Sequence, residues 1–72
     1  MGGIIEDKIF EVLMDESLTA FQITRRLEKI HYKREYRTIN RHLRKMFSTR
    51  QLERRKMPNN EYVYWNSCMA KG

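Results

Sequence analysis

The residues of this chain that could do chemistry are mainly arginines and lysines, and they are concentrated in one part of the sequence. Thirteen of the fifteen basic residues lie between Arg25 and Lys56. Residues 19–56 carry a net charge of +10, whereas residues 1–18 carry −4. Because a guanidinium group binds phosphate and base edges through a fixed fork of N–H donors, a basic block beside an acidic one predicts a polyanionic partner on one face of the protein.

The sequence lacks the residue patterns typical of catalytic and metal sites. There is no pair of carboxylates in an apolar setting, no glycine-rich phosphate loop and no nucleophile next to a base, so we do not expect an enzyme. His31 and His42 are eleven residues apart and Cys68 is the only cysteine, so we expect no metal, no cofactor and no disulfide, and we interpret Cys68 as a bystander. We also expect no small-molecule ligand, because so short a chain buries only a small core.

Hydropathy gives an expectation about location. No run of eighteen apolar residues is present, and the N-terminus lacks the pattern of a signal peptide, so we expect no contact with a membrane. We predict a cytoplasmic protein associated with the nucleoid if the source is prokaryotic or viral, and a nuclear protein if it is eukaryotic.

Three helices are predicted to position the basic side chains. The first, at about residues 4–15, has an apolar stripe made of Ile5, Ile9, Val12 and Leu13. Phe10 and Met14 lie partly off this stripe, and they indicate either a wide core face or a contact surface for a second copy of the chain.

The second helix is predicted at about residues 20–29, after a capping box formed by Thr19 and Gln22. The third is predicted at about residues 33–47. Its core stripe consists of Tyr36, Ile39, Leu43 and Met46. The opposite arc of the third helix is strongly basic, so this helix is the candidate for contact with the polyanion.

A β-hairpin is predicted at about residues 51–65, with its turn at Pro58-Asn59-Asn60, followed by a short tail at 66–72. Leu52, Val63 and Trp65 are the candidates for its inward face. A slip of one residue would bury Tyr62 and Tyr64 instead, and the sequence leaves both registers open.

The order of helix, short break, helix, turn, basic helix and hairpin resembles the winged helix-turn-helix family of DNA-binding domains. The segments that carry the resemblance are 18–27, 38–46, 51–55 and 62–65. The resemblance implies a single α+β domain over residues 1–72, mainly α, in which three helices are followed by a C-terminal hairpin that forms the wing. The sequence departs from the family at Arg50, where glycine is usual, and in the longer stretch between the second and third helices.

The resemblance also implies how DNA would dock, with the third helix in the major groove. The side chains nearest base edges would be those of Arg37, Thr38, Asn40 and Arg41. Asn40 could either read adenine or bond to the backbone locally. Phosphate contacts would come from Arg25, Arg26, Lys33, Arg34, Arg44 and Lys45. The wing would contribute Arg54, Arg55, Lys56, Asn59 and Asn60. Such a protein is expected to prefer particular duplex sequences and to regulate transcription.

Other readings stay open. Asn40 and the aromatic second wing strand are similar to those of winged helices that bind Z-form DNA, and double-stranded RNA is a related possibility. However, that pattern has lysine and tyrosine where this chain has Tyr36 and Arg44. A protein-interaction module is the second alternative, because an acidic protein would also be attracted to the basic block. A homodimer could form through Phe10 and Met14 or through the C-terminal tail.

Overall fold

A computed structural model describes residues 3–67. The elements in chain order are α1 (Ile4–Val12), β1 (Leu18–Thr19), α2 (Ala20–Lys29), α3 (Tyr36–Ser48), β2 (Leu52–Lys56) and β3 (Tyr62–Asn66). The strands form an antiparallel sheet in the order β1-β3-β2. This part of the chain is therefore an α+β structure of three helices and one three-stranded sheet, and the predicted coarse class is confirmed. None of its helices is long and apolar enough to cross a membrane.

Two helix ends differ from their predicted positions. α1 ends at Val12 and not near residue 15, and the Leu13 N–H closes it on the carbonyls of Ile9 and Phe10. Asp15 and Glu16 would have placed negative charge at the negative end of the helix dipole, which disfavours a longer helix. α3 begins at Tyr36 and not at residue 33, since Lys33 and the residue after it would have placed positive charge at the positive end.

The second helix begins as predicted. The hydroxyl of Thr19 accepts a hydrogen bond from the N–H of Gln22 at 3.2 Å, and the Thr19 N–H donates to Oε1 of Gln22 at 3.0 Å. This reciprocal pair is the capping box, and it satisfies two backbone donors that the helix itself cannot use.

Both α2 and α3 end in left-handed residues that are not glycine. His31 has φ 63° and Arg50 has φ 67°. After α3, the Arg50 N–H donates to the Phe47 carbonyl at 3.0 Å and the Gln51 N–H donates to the Met46 carbonyl at 2.8 Å. This is the Schellman arrangement, in which a left-handed residue lets two backbone donors turn back onto the last helical carbonyls.

The core lies where the apolar stripes of the three helices meet the inner face of the sheet. Its fully buried side chains are Ile9, Leu13, Ile23, Leu27, Ile39, Leu43, Met46, Leu52 and Tyr64. The predicted stripes are thereby confirmed, with one exception. Tyr36 was predicted in the core but is 50% exposed, because the first turn of α3 extends past the edge of the packed region.

The hairpin adopts the slipped register on its second strand. Tyr64 is 2% exposed and lies on the inner face with Leu52, whereas Val63 and Trp65 are half-buried on the outer face. The prediction that Val63 and Trp65 point inward is therefore wrong. β1 explains the choice, since it pairs with the other side of β3, with buried Leu18 opposite Tyr64. The predicted tail begins one residue too early, because β3 includes residue 66, and residues 68–72, with Cys68, lie outside the described residues.

Candidate nucleic-acid interface

The exposed side of α3 carries a line of three arginines. Arg37, Arg41 and Arg44 are spaced by four and three residues, so they follow one face of the helix. With Asn40 they line a shallow surface groove, which we call the arginine groove. The opposite face of the same helix is held by Ile39, Leu43 and Met46 in the core, so the arginines project from a fixed support.

The other predicted residues of α3 lie beside this groove and not in it. Thr38 is half-buried and lies one step further round the helix from Arg41, toward His42. Lys45 is exposed on that same side. Of the four residues predicted nearest to base edges, the structure therefore brings Arg37, Asn40 and Arg41 together and sets Thr38 apart.

The arginine groove is free of carboxylate partners within the described part of the chain. The ion pairs found there join Lys8 to Glu11 and Arg26 to Glu16, and a carboxylate oxygen of Glu6 lies 3.9 Å from Nδ1 of His42. The charges of Arg37, Arg41 and Arg44 are therefore available to an external anion.

Arg26, a predicted phosphate contact, is already paired. Its two terminal nitrogens donate to the two oxygens of Glu16 at 2.5 and 2.9 Å. These hydrogen bonds lower the pKa of Glu16 and raise the pKa of Arg26, although both groups are exposed. The pair neutralises a positive charge on α2 that was predicted to contact a DNA phosphate.

Arg54, a predicted wing contact, packs against two aromatic rings of the fold. Its guanidinium carbon lies 4.1 Å from the ring centroid of Phe47 and 4.1 Å from that of Tyr62, on the inner face of the hairpin. The residue is half-buried, whereas its neighbours Arg55 and Lys56 are exposed. Strand alternation is the signal that could have separated them, because Arg54 shares a face with the buried residue two positions earlier.

The other three predicted phosphate contacts lie before α3 in the chain. The Arg34 guanidinium stacks at 4.2 Å over the ring of Tyr32, and its Nη1 donates to the Lys33 carbonyl at 2.7 Å. Lys33 is exposed in the segment that leads into α3. Arg25 is exposed on α2, with its guanidinium 5.7 Å from the ring centroid of Phe21. Lys33 and Arg34 therefore place positive charge directly before α3, and Arg25 adds an exposed charge on α2.

The two asparagines at the tip of the hairpin have different surroundings. Asn59 accepts from the Glu61 N–H at 3.2 Å and donates to a Glu61 carboxylate oxygen at 3.3 Å, so it stabilises the turn. Asn60 has φ 69°, a left-handed conformation that asparagine tolerates well, and its side chain is exposed. Only Asn60 of the pair therefore faces a neighbouring surface with its side chain uncommitted.

That surface is a cleft that the sequence did not predict. Four aromatic side chains line it: Phe21 from the start of α2, Tyr36 from the start of α3, and Tyr62 and Tyr64 from β3. Phe21 is 55% exposed and Tyr36 is 50% exposed. Besides the tyrosines, the polar residues of this aromatic cleft are Asn40, Asn60, Glu61 and Thr19, whose hydroxyl already accepts the Gln22 N–H. Asn40 lies between the aromatic cleft and the arginine groove and lines both.

The residues predicted to form a dimer are not equivalent. Phe10 is half-buried and packs against the core, whereas Met14 lies beyond the end of α1 and is 65% exposed. The alternative dimer contact through the tail falls largely outside residues 3–67. His31, which is exposed at the end of α2, and His42, which faces Glu6 on α1, have separate surroundings.

Comparison of the chain with protein-family models, with curated proteins and with solved structures found no match. The function is therefore inferred from the surface itself.

Proposed function

We propose that this protein is a winged helix-turn-helix domain that binds double-stranded DNA, with α3 in the major groove and the β2–β3 hairpin as the wing. The observation that carries the proposal is the line of three unpaired arginines on α3. The major groove admits an α-helix, and an arginine can bond both O6 and N7 of a guanine. A helix whose opposite face is buried presents such side chains in a fixed geometry.

The arrangement around α3 supports the same docking. Lys33 directly precedes α3, Arg25 is exposed on α2 beside Phe21, and Arg55 and Lys56 are exposed on the hairpin that follows α3. Such flanking cations would bind phosphates and set the register of α3, while the groove residues would set sequence preference. We propose Arg37, Asn40 and Arg41 for base edges and Arg44 for the border between base and phosphate.

The first experiment is fluorescence anisotropy with a labelled mixed-sequence duplex over a series of salt concentrations. If about six phosphates are neutralised, the slope of log affinity against log salt is expected to be near −5. Absence of binding at low salt would refute the proposal. Selection from random duplexes then supplies the preferred site. A palindromic site would indicate a two-fold dimer with half-sites about one helical turn apart, as for many regulators of transcription.

Variants test the role of the arginine groove. Arg37→Ala and Arg41→Ala are each expected to lose about 1–3 kcal/mol of binding free energy on the preferred site and to flatten sequence preference. Lys8→Ala is the matched control, since it removes the same charge from α1, where Lys8 pairs with Glu11 at 3.8 Å. If the groove variants bind as well as Lys8→Ala does, the arginines of α3 are not the contact surface.

A further inference from the structure

The aromatic side chains of the cleft have no stacking partner in an intact DNA duplex. Phe21 and Tyr36 expose about half of their surface, although both lie at the margin of a well-packed core. In an undistorted duplex the faces of the bases are stacked on one another, so a protein aromatic ring reaches groove edges and sugars but not the base faces. An unpaired base, in contrast, offers a free π-face that stacks on aromatic side chains and a free Watson–Crick edge.

The polar groups of the cleft match that free edge. The amides of Asn40 and Asn60 each offer a donor and an acceptor. One carboxylate oxygen of Glu61 is bonded to Asn59, and the other is an acceptor for an amino or imino group. The negative charge of Glu61 also disfavours a phosphate inside the cleft. The cleft therefore suits the uncharged part of a nucleotide, and the arginine groove suits its charged part.

Size and continuity point the same way. The cleft encloses about 200 Å³, which is smaller than the range of about 300–1,000 Å³ typical of sites for drug-sized ligands. Asn40 borders both the cleft and the arginine groove, so a strand lying against Arg37 and Arg41 would bring an adjacent nucleotide to the cleft. The guanidinium of Arg25 lies 5.7 Å from the ring centroid of Phe21, so a cation is available beside the cleft for the phosphate of that nucleotide.

We propose that the aromatic cleft binds one unpaired nucleobase, so that the protein prefers a duplex in which a base lies outside the stack next to the paired segment. This inference rests on the proposed binding of duplex DNA. It adds a second element of specificity, because the paired segment would be read by α3 and the unpaired base by Phe21, Tyr36 and the amides.

Three labelled duplexes of the same flanking sequence test this inference by anisotropy. One is fully paired, one carries a single extra adenine as a bulge, and one carries an abasic residue at the bulge. The adenine bulge is expected to bind about tenfold more tightly than the other two, a ratio at the lower end of what one stacked base contributes. Equal binding of the adenine and abasic bulges would show that only flexibility of the DNA matters, and would overturn the inference.

Variants of the cleft residues test whether the cleft causes the preference for the adenine bulge. Phe21→Ala and Tyr36→Ala are expected to lose the tenfold preference while keeping their affinity for the paired duplex, and circular dichroism checks that each is folded. Met57→Ala is the matched control, because Met57 is an exposed apolar residue of the hairpin that lies outside the cleft. An equal loss on all three duplexes would mean that the aromatics contact the backbone, which would also overturn the inference.

A fluorescent base gives a direct readout. With 2-aminopurine at the bulge, the wild-type protein is expected to quench its emission by stacking, and Tyr36→Ala is expected to quench it less. Unchanged emission on binding would contradict insertion of the base. If the protein binds the paired duplex but shows no preference for the adenine bulge, only the inference about the cleft is refuted. If it binds none of the three duplexes, the proposed function is refuted as well.

Discussion

Replacement of Arg54 by alanine is expected to destabilise the fold more than it weakens the proposed binding to DNA. The guanidinium lies 4.1 Å from the ring centroids of both Phe47 and Tyr62, so it joins α3 to both strands of the hairpin. A cation–π contact contributes about 0.5–1 kcal/mol at an exposed site and about 2 kcal/mol when desolvated. Two contacts on a half-buried side chain therefore predict a loss of about 1–3 kcal/mol in the free energy of unfolding.

Thermal and urea unfolding, followed by far-ultraviolet circular dichroism, measure this loss. For a chain of 60–100 residues, 1 kcal/mol shifts Tm by about 4–8 °C. Arg54→Lys keeps the charge but loses the planar group that covers both rings, so its stability is expected to lie between those of the wild type and Arg54→Ala.

Arg55→Ala is the control, because Arg55 is the next residue of the same strand and is exposed on the opposite face. Its stability is expected to stay within about 0.5 kcal/mol of the wild type. If the hairpin contacts phosphate, Arg55→Ala is expected to reduce the salt slope of DNA binding by about one, whereas Arg54→Ala leaves the slope unchanged. If Arg54→Ala were as stable as Arg55→Ala and changed the slope equally, the stacked position of Arg54 would be refuted.

Three further predictions concern the ends of the helices. Thr19→Ala removes the capping box of α2 and is expected to lower the free energy of unfolding in urea by about 1 kcal/mol. Thr19→Ser is expected to keep most of the wild-type stability, and an unchanged stability of Thr19→Ala would contradict the cap. Arg50→Gly relieves the left-handed strain at φ 67° and is expected to be more stable than Arg50→Ala by about 0.5–1.5 kcal/mol, and equal stabilities would refute the strain. Because Arg26 lowers the pKa of Glu16 in the folded state, their pair stabilises the protein above the ordinary pKa of a glutamate and loses its effect as the pH falls through the lowered value. The difference in urea midpoint between wild type and Glu16→Gln is therefore expected to shrink on acidification, and a difference independent of pH would contradict the pairing.

The helices were the most predictable part of the fold, because their signals are local. The capping box needs only Thr19 and Gln22, three residues apart, and both of its hydrogen bonds are present. The core stripe of α3 follows from the helical period alone, and Ile39 and Leu43 are fully buried as predicted. Period and capping act within one or two turns, so no knowledge of distant residues is required.

The hairpin was less predictable, because its register is decided by a strand far away in the sequence. Both Tyr64 and Trp65 are suitable for a buried position, and a period of two residues fits either register. The pairing of β3 with Leu18 and Thr19, more than forty residues earlier, buries Tyr64. A two-residue strand such as β1 has no recognisable pattern of its own, so the sequence could not supply this constraint.

The position of the acidic residues also determines which arginines are free. Five of the nine carboxylates lie in the first sixteen residues; of these, Glu16 pairs across the fold with Arg26, and Glu6 lies 3.9 Å from the His42 imidazole. Both partners lie away from the arginine groove. The acidic segment therefore neutralises charge on α2, and within residues 3–67 none of its carboxylates pairs with Arg37, Arg41 or Arg44. Because a cation that is already paired adds little to attraction at a distance, binding to an anion depends on this arrangement more than on the total charge of +6.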